Sequence, residues 1–134
     1  MKVPALLLGL VAAAVAAPVV MATAAEQDTI VIEATRLQPS ILRTTTEQRV
    51  TFVNRSGRPA HVDFVRGSGE HRVFQVPGQI WAIFHRQGVH AYEVHLEGGA
   101  KVMTLRGAVE AIDEPETGHP TCNDLTVMGV CIER

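Results

Sequence analysis

The candidate metal ligands of this 134-residue chain are four side chains, namely His61, His95, Glu97 and Met103. Imidazole and carboxylate groups both suit Cu(II), and a thioether suits Cu(I). Together they could form a copper site of the type-2 kind, which needs no thiolate. His95, Glu97 and Met103 lie at and beyond the end of one predicted strand, and His61 opens another. Such a site requires a fold that brings these two strands together.

Each of these residues also has a purely structural explanation. His61 could be a partly buried histidine that bonds to a loop carbonyl. His95 and Glu97 could be solvated residues at a strand end, where charge opposes edge-to-edge pairing. Met103 could be ordinary packing. The other histidines are expected to serve structure rather than chemistry: the core for His90, and the surface, without partners, for His71, His85 and His119.

The elements that must position these residues are short strands. The hydrophobic period is two, not 3.6, and no segment is a convincing amphipathic helix. Turn sequences rich in glycine, proline, asparagine and serine separate the runs. Seven or eight such strands predict an all-β protein, folded as an antiparallel sandwich of two sheets. The clearest runs are residues 29–36, 49–54, 73–76, 80–85 and 89–96.

The order of these features resembles the cupredoxins, small copper-binding β-sandwiches, in particular those of the amicyanin and plastocyanin type. Residues 37–54 look like the family's opening, in which a proline breaks the first strand pair and an alternating strand ends in asparagine. His61 then falls where the first copper ligand of the family falls. Residues 88–94 are similar to the strand that ends in the ligand cysteine, and residues 105–109 to the last strand. The resemblance implies a cupredoxin-like Greek-key sandwich.

The same resemblance implies that the usual copper site is incomplete. A blue-copper centre combines two imidazoles, a thiolate and a weak axial thioether. Here Val94 stands at the cysteine position, Glu97 at the second histidine and Leu105 at the axial methionine, so only His61 matches. An ordinary blue-copper electron-transfer role is therefore not expected. The expected site is a non-blue one, in which His61 is joined by His95 with Glu97 or Met103.

The N-terminal segment predicts export, and export in turn predicts the state of the two cysteines. Residues 1–24 read as a secretory signal cleaved after Ala24, although an uncleaved N-terminal anchor is an alternative. Thiols outside the cytoplasm tend to pair, so Cys122 and Cys131 are expected to form a disulfide rather than a two-thiolate metal site. The predicted organisation is a cupredoxin-like domain over residues 25–111 and a disulfide-tied extension over residues 112–134.

Several function classes are disfavoured by composition. A net charge of −2 without a basic stripe argues against nucleic-acid binding. The sequence has no nucleophile elbow, phosphate-binding loop or opposed carboxylate pair, so an enzyme is not expected. One hypothesis is a periplasmic or secreted monomer that has no membrane span after signal cleavage. It would bind copper for storage, delivery or accessory electron transfer, and its partner would be a periplasmic redox or copper-handling protein. The other is a metal-free scaffold that acts as a periplasmic protein-interaction module.

Overall fold

A computed structural model describes residues 28–65, 71–113 and 122–133 of the chain. Within these ranges the chain forms eleven strands and no helix. The strands are β1 (Thr29–Ile32), β2 (Leu37–Gln38), β3 (Ile41–Thr45), β4 (Arg49–Asn54), β5 (Ala60–Val65), β6 (His71–Gln75), β7 (Gln79–Phe84), β8 (Gly88–Leu96), β9 (Met103–Ile112), β10 (Leu125–Val127) and β11 (Val130–Ile132).

The strands form two sheets that pack face to face. The first sheet has the order β11-β10-β7-β4-β1-β2, and the second has the order β3-β9-β8-β5-β6. The predicted all-β sandwich of two sheets is thereby confirmed. Both sheets are mixed rather than wholly antiparallel, because β1 runs parallel to β4 and β3 runs parallel to β9. The chain passes from the first sheet to the second at Pro39, between β2 and β3.

The core lies between the sheets and is built by alternation of buried and more exposed residues along strands such as β4, β7 and β8. Phe52 of the first sheet meets Tyr92 of the second edge to face, with ring centroids 5.2 Å apart. Phe64 packs beside both rings, at 5.9 Å from Phe52 and 6.4 Å from Tyr92. In the second sheet the even-numbered residues of β5 and β8 therefore face inward. The odd-numbered residues of the same strands share the outer face, which determines the neighbours of the candidate ligands.

The C-terminal segment is part of the first sheet. Strand β10 pairs with β7, and β11 pairs with β10 at the sheet edge. Cys122 and Cys131 form a disulfide with Cα atoms 5.7 Å apart, which confirms the predicted pairing and leaves no thiolates for a metal. Residues 122–133 thus complete the sandwich instead of projecting from it.

Some sequence predictions fall on residues outside the described ranges. These are the secretory leader over residues 1–24, residues 114–121 of the predicted extension, and the surface position of His119. Strand β9 continues to Ile112, one residue beyond the predicted domain end. Among the residues that the structure describes, no helix is long and apolar enough to cross a membrane.

Candidate metal site

The outer face of the second sheet brings together the ligand-type side chains of β5 and β8. His61 lies directly opposite His95 in the antiparallel register, and Asp63 lies opposite Glu93 one step further along. Val62 and Val94, the residues between them, are fully buried. Two histidines and two carboxylates therefore lie on the outer face of the sheet, and packed apolar side chains lie on its inner face.

Three of the four predicted ligands lie on or beside this face. His61 Nδ1 is 3.7 Å from Glu97 Oε1, and the His61 side chain is 21% exposed. His95 is the cross-strand neighbour of His61, with its Nδ1 3.2 Å from Thr104 Oγ1. Met103 lies on the opposite face of the sheet, where it is partly buried against the hydrophobic core. The fold thus places His95 opposite His61 in the register and Glu97 beside His61, and it puts Met103 on the other face.

The interior position of a blue-copper site is filled with apolar side chains. Val94, at the family's cysteine position, is fully buried, and Ala60 lies on the same inner face with 4% exposure. Leu105 packs against the core from β9. His61 follows Ala60 and therefore points to the outer face, away from Val94. The resemblance aligned His61 with the first ligand of the family, but in this fold it does not share a face with the old thiolate position.

The end of the sandwich beside His61 is held by a polar network around a cleft of about 490 Å³. Asn54, at the end of β4, donates from Nδ2 to the carbonyl oxygens of Arg58 (2.9 Å) and Val76 (3.1 Å). Arg58 Nε donates to the carbonyl oxygen of Glu97 at 2.7 Å. These bonds join three loops to one another. They hold the loop that precedes His61 and the loop that contains Glu97. His61 and Glu97 line the same cleft.

Sequence reasoning missed a second group of ligand-type residues, which adjoins the first. Asp63 Oδ2 lies 2.8 Å from His71 Nδ1 and 4.0 Å from His95 Nε2. Glu93 Oε2 lies 3.6 Å from the same nitrogen of His95. Alternation along the strands would have placed 61 with 63 and 93 with 95. The closeness of the two pairs follows from the pairing of β5 with β8, which alternation does not reveal.

The remaining histidines give one confirmation and two corrections. His90 is 6% exposed with its ring 4.8 Å from that of Phe84, as expected of a core residue. His71 is exposed, as predicted, but it has a partner in Asp63. The surface prediction for His85 is wrong: its side chain is 8% exposed, and Nδ1 lies 2.8 Å from Glu47 Oε1. The return of the C-terminal strands beside β7 covers this ring, and no local pattern around residue 85 predicts that.

Comparison with known proteins finds similar solved structures only. No family model matches the chain, and no curated protein matches it. Similar solved structures include a reduced amicyanin variant, which is 19% identical over 63% of this chain and 80% of that chain, with a TM-score of 0.48. A purple cupredoxin from Nitrosopumilus maritimus is 17% identical over 63% of this chain and 98% of that chain, with a TM-score of 0.47.

A further amicyanin variant, in its reduced Cu(I) form, is 20% identical over 69% of this chain and 87% of that chain, with a TM-score of 0.49. The described residues form an all-β sandwich of two sheets. The copper ligands of those proteins are not carried over to this chain.

Proposed function

We propose that this chain is an exported cupredoxin-like protein that binds copper at a non-blue site on the outer face of its second sheet. The proposed ligands are His61, His95 and Glu97. The observation that carries the proposal is the register of β5 and β8, in which His61 and His95 are directly opposed. Opposed residues have Cβ atoms about 5 Å apart. Two imidazoles at that spacing can reach one ion through metal–nitrogen bonds of about 2 Å.

The donor set decides which chemistry the site supports. Two imidazoles and a carboxylate suit Cu(II), and the lack of a thiolate removes the ligand on which blue-copper behaviour depends. Met103 is left out of the ligand set because it packs on the inner face. Such a site fits storage, delivery or an accessory electron-transfer step, with a periplasmic redox or copper-handling protein as partner. The proposed protein is a monomer and not an enzyme.

Export is part of the same proposal. The Cys122–Cys131 disulfide is the kind of bond that forms and persists in an oxidising compartment such as the periplasm or the extracellular space. This supports the secretory leader inferred from residues 1–24. The proposed ligands include no thiolate, so cysteine oxidation in that compartment would not remove a ligand.

The alternative function is a metal-free scaffold that binds a periplasmic protein. It is favoured by one observation, the apolar filling of the interior site by Ala60, Val94 and Leu105. A scaffold that has given up its metal needs no imidazole pair. In that case His61 and Glu97 would interact only with each other and with solvent at the rim of the cleft.

A copper titration separates these functions. Metal-stripped full-length protein is titrated with Cu(II) and followed by EPR and optical spectroscopy. We expect one ion per chain with a type-2 spectrum and no intense blue band, lost in His61→Ala and in His95→Ala. Gln75→Ala is the matched control, because Gln75 lies beside His61 in the sheet but is not a proposed ligand. Absence of stoichiometric binding, or binding that survives in His61→Ala, would contradict the copper site.

A further inference from the structure

A second ligand cluster lies one register step from the His61–His95 pair. It consists of Asp63, Glu93 and His95. One carboxylate oxygen from each acid and one ring nitrogen of His95 all lie within 4.8 Å of one another. Tetrahedral coordination with bonds of about 2.1 Å places ligand atoms about 3.4 Å apart. His95 Nε2 lies 3.6 Å from Glu93 Oε2 and 4.0 Å from Asp63 Oδ2, so small rotations of these side chains bring a carboxylate oxygen of each acid to that spacing.

Asp63 is the member of the cluster that points most clearly to a ligand. Its side chain is 9% exposed, so the carboxylate has little access to water. Oδ2 is engaged by His71 Nδ1 at 2.8 Å, whereas Oδ1 has no hydrogen-bond partner among the residues that the structure describes. Buried carboxylates are normally paired, hydrogen-bonded or bound to a metal. One oxygen of Asp63 therefore remains available for a cation.

The charges around the cluster also favour a cation. Asp63 and Glu93 face each other directly across two strands, an arrangement that is destabilising for like charges. Arg106 partly compensates Glu93, with Nε 3.3 Å from Oε1, but its side chain is 82% exposed and it stands on the far side of Glu93 from Asp63. His71 balances Asp63 only when its ring is protonated. A divalent ion between the two carboxylates would balance both.

We propose that Asp63, Glu93 and His95 form a binding site for a borderline divalent cation, with Zn(II) as its reference ion. Imidazole and carboxylate oxygen are common Zn(II) ligands, and a water molecule would complete four-coordination. The absence of sulfur from this set disfavours Cu(I). An imidazole and only two carboxylates are too few oxygens for Ca²⁺. His71 acts as a positioning residue, since its Nδ1 lies 2.8 Å from Oδ2 and so fixes the orientation of the Asp63 carboxylate.

This site does not depend on the copper proposal, although both use His95. The copper site adds His61 and Glu97, whereas the divalent site adds Asp63 and Glu93. Because one ring is shared, an ion bound by the Asp63 set restricts the freedom of His95 to turn toward His61. Cu(II) and Zn(II) are therefore expected to compete.

The test is calorimetric titration of EDTA-treated, full-length protein with ZnCl₂. We expect one ion per chain, and a loss of affinity of more than about 100-fold in Asp63→Asn and in Glu93→Gln, beyond the 10- to 100-fold typical of positioning residues. His71→Ala should lose about 10- to 100-fold, as expected for such a residue. Gln75→Ala, on the same face but outside both sets, serves as the matched control. His61→Ala separates the sites, because it should abolish the copper signal and retain Zn(II) binding.

Thermal melting shows whether a variant loses Zn(II) affinity because a ligand is gone or because the variant is misfolded. Asp63→Asn removes one of two opposed carboxylates, so the metal-free variant should melt no lower than the metal-free parent. Zn(II) should raise the melting temperature of the parent by mass action and leave that of Asp63→Asn unchanged. Parent-like affinity in Asp63→Asn, no saturable binding by the parent, or a loss of Zn(II) binding in His61→Ala would each overturn the site. Failure of copper binding with Zn(II) binding intact would overturn only the proposed function.

Discussion

Substitution of Gly107 by alanine should destabilise the sandwich strongly. Gly107 lies on the inner face of β9, directly opposite Tyr92 of β8. The tyrosine ring lies over the glycine, so that a Cβ atom there would overlap the Tyr92 hydroxyl and ring and would meet Leu37 Cδ1 at 3.0 Å. Because position 107 has no side chain, the ring of Tyr92, the largest buried residue of the core, can occupy that space.

The size of the effect follows from how little the ring can move. Tyr92 is 1% exposed, and its ring is held by Phe52 and Phe64 at centroid distances of 5.2 and 6.4 Å. Overpacking a core typically costs about 1–3 kcal/mol. A rigid, enclosed ring places Gly107→Ala at the upper end, about 3 kcal/mol. For a domain of about 100 residues that corresponds to a fall of about 12–24 °C in melting temperature.

Urea unfolding followed by circular dichroism measures this loss. Gly78→Ala is the control, because a Cβ there meets nothing within 4 Å and the backbone is not left-handed. In a Tyr92→Leu background the penalty of Gly107→Ala should shrink by at least about 1 kcal/mol, as expected for residues in contact. A parent-like stability of Gly107→Ala, or an equal penalty in both backgrounds, would refute the packing argument.

Two further predictions concern Tyr92 and the disulfide. Burial raises the pKa of the Tyr92 phenol above its ordinary value of 10.0. Below about pH 10 the phenol is protonated in both the folded and the unfolded chain. Above that pH the phenol of the unfolded chain ionises first, so the free energy of unfolding should fall as the pH rises. Tyr92 is the only tyrosine, so phenolate absorbance should appear only with unfolding. Tyr92→Phe should remove the loss of stability at alkaline pH. Phenolate formation near pH 10 in the folded protein would contradict the prediction. The double substitution Cys122→Ser and Cys131→Ser should lower the urea-derived free energy of unfolding by about 2–3 kcal/mol, and a change below about 0.5 kcal/mol would contradict the cross-link's role.

Local patterns predicted the fold class because they act within single strands. The alternation in residues 49–54 and 89–96 identified β4 and β8, and the compartment argument paired Cys122 with Cys131. The parallel pairs β1–β4 and β3–β9 join strands that are distant in sequence. Their partners are selected by the packing of the two sheets. No pattern within the strands themselves records this choice.

The candidate site was predicted less well, because it depends on which face of the sheet each residue occupies. Alternation has a period of two, so a shift of one residue moves a side chain to the opposite face. Family order placed His61 at a ligand position, whereas burial shows that Ala60 is the inward residue. Asp63 and Glu93 drew no attention in the sequence, since each is an ordinary acid within a strand. Only the β5–β8 register makes them neighbours.

The shift from inner to outer face changes what a bound metal could do. An ion between the sheets is shielded from water and held by packed side chains, which suits electron transfer without rearrangement. The His95 ring, which both proposed sites share, is 30% exposed and stands on the solvent side of the sheet. Water can reach an ion there and complete its coordination, and the ion can exchange with a partner or chelator. Both proposed sites are therefore better suited to holding and releasing a metal than to cycling its oxidation state.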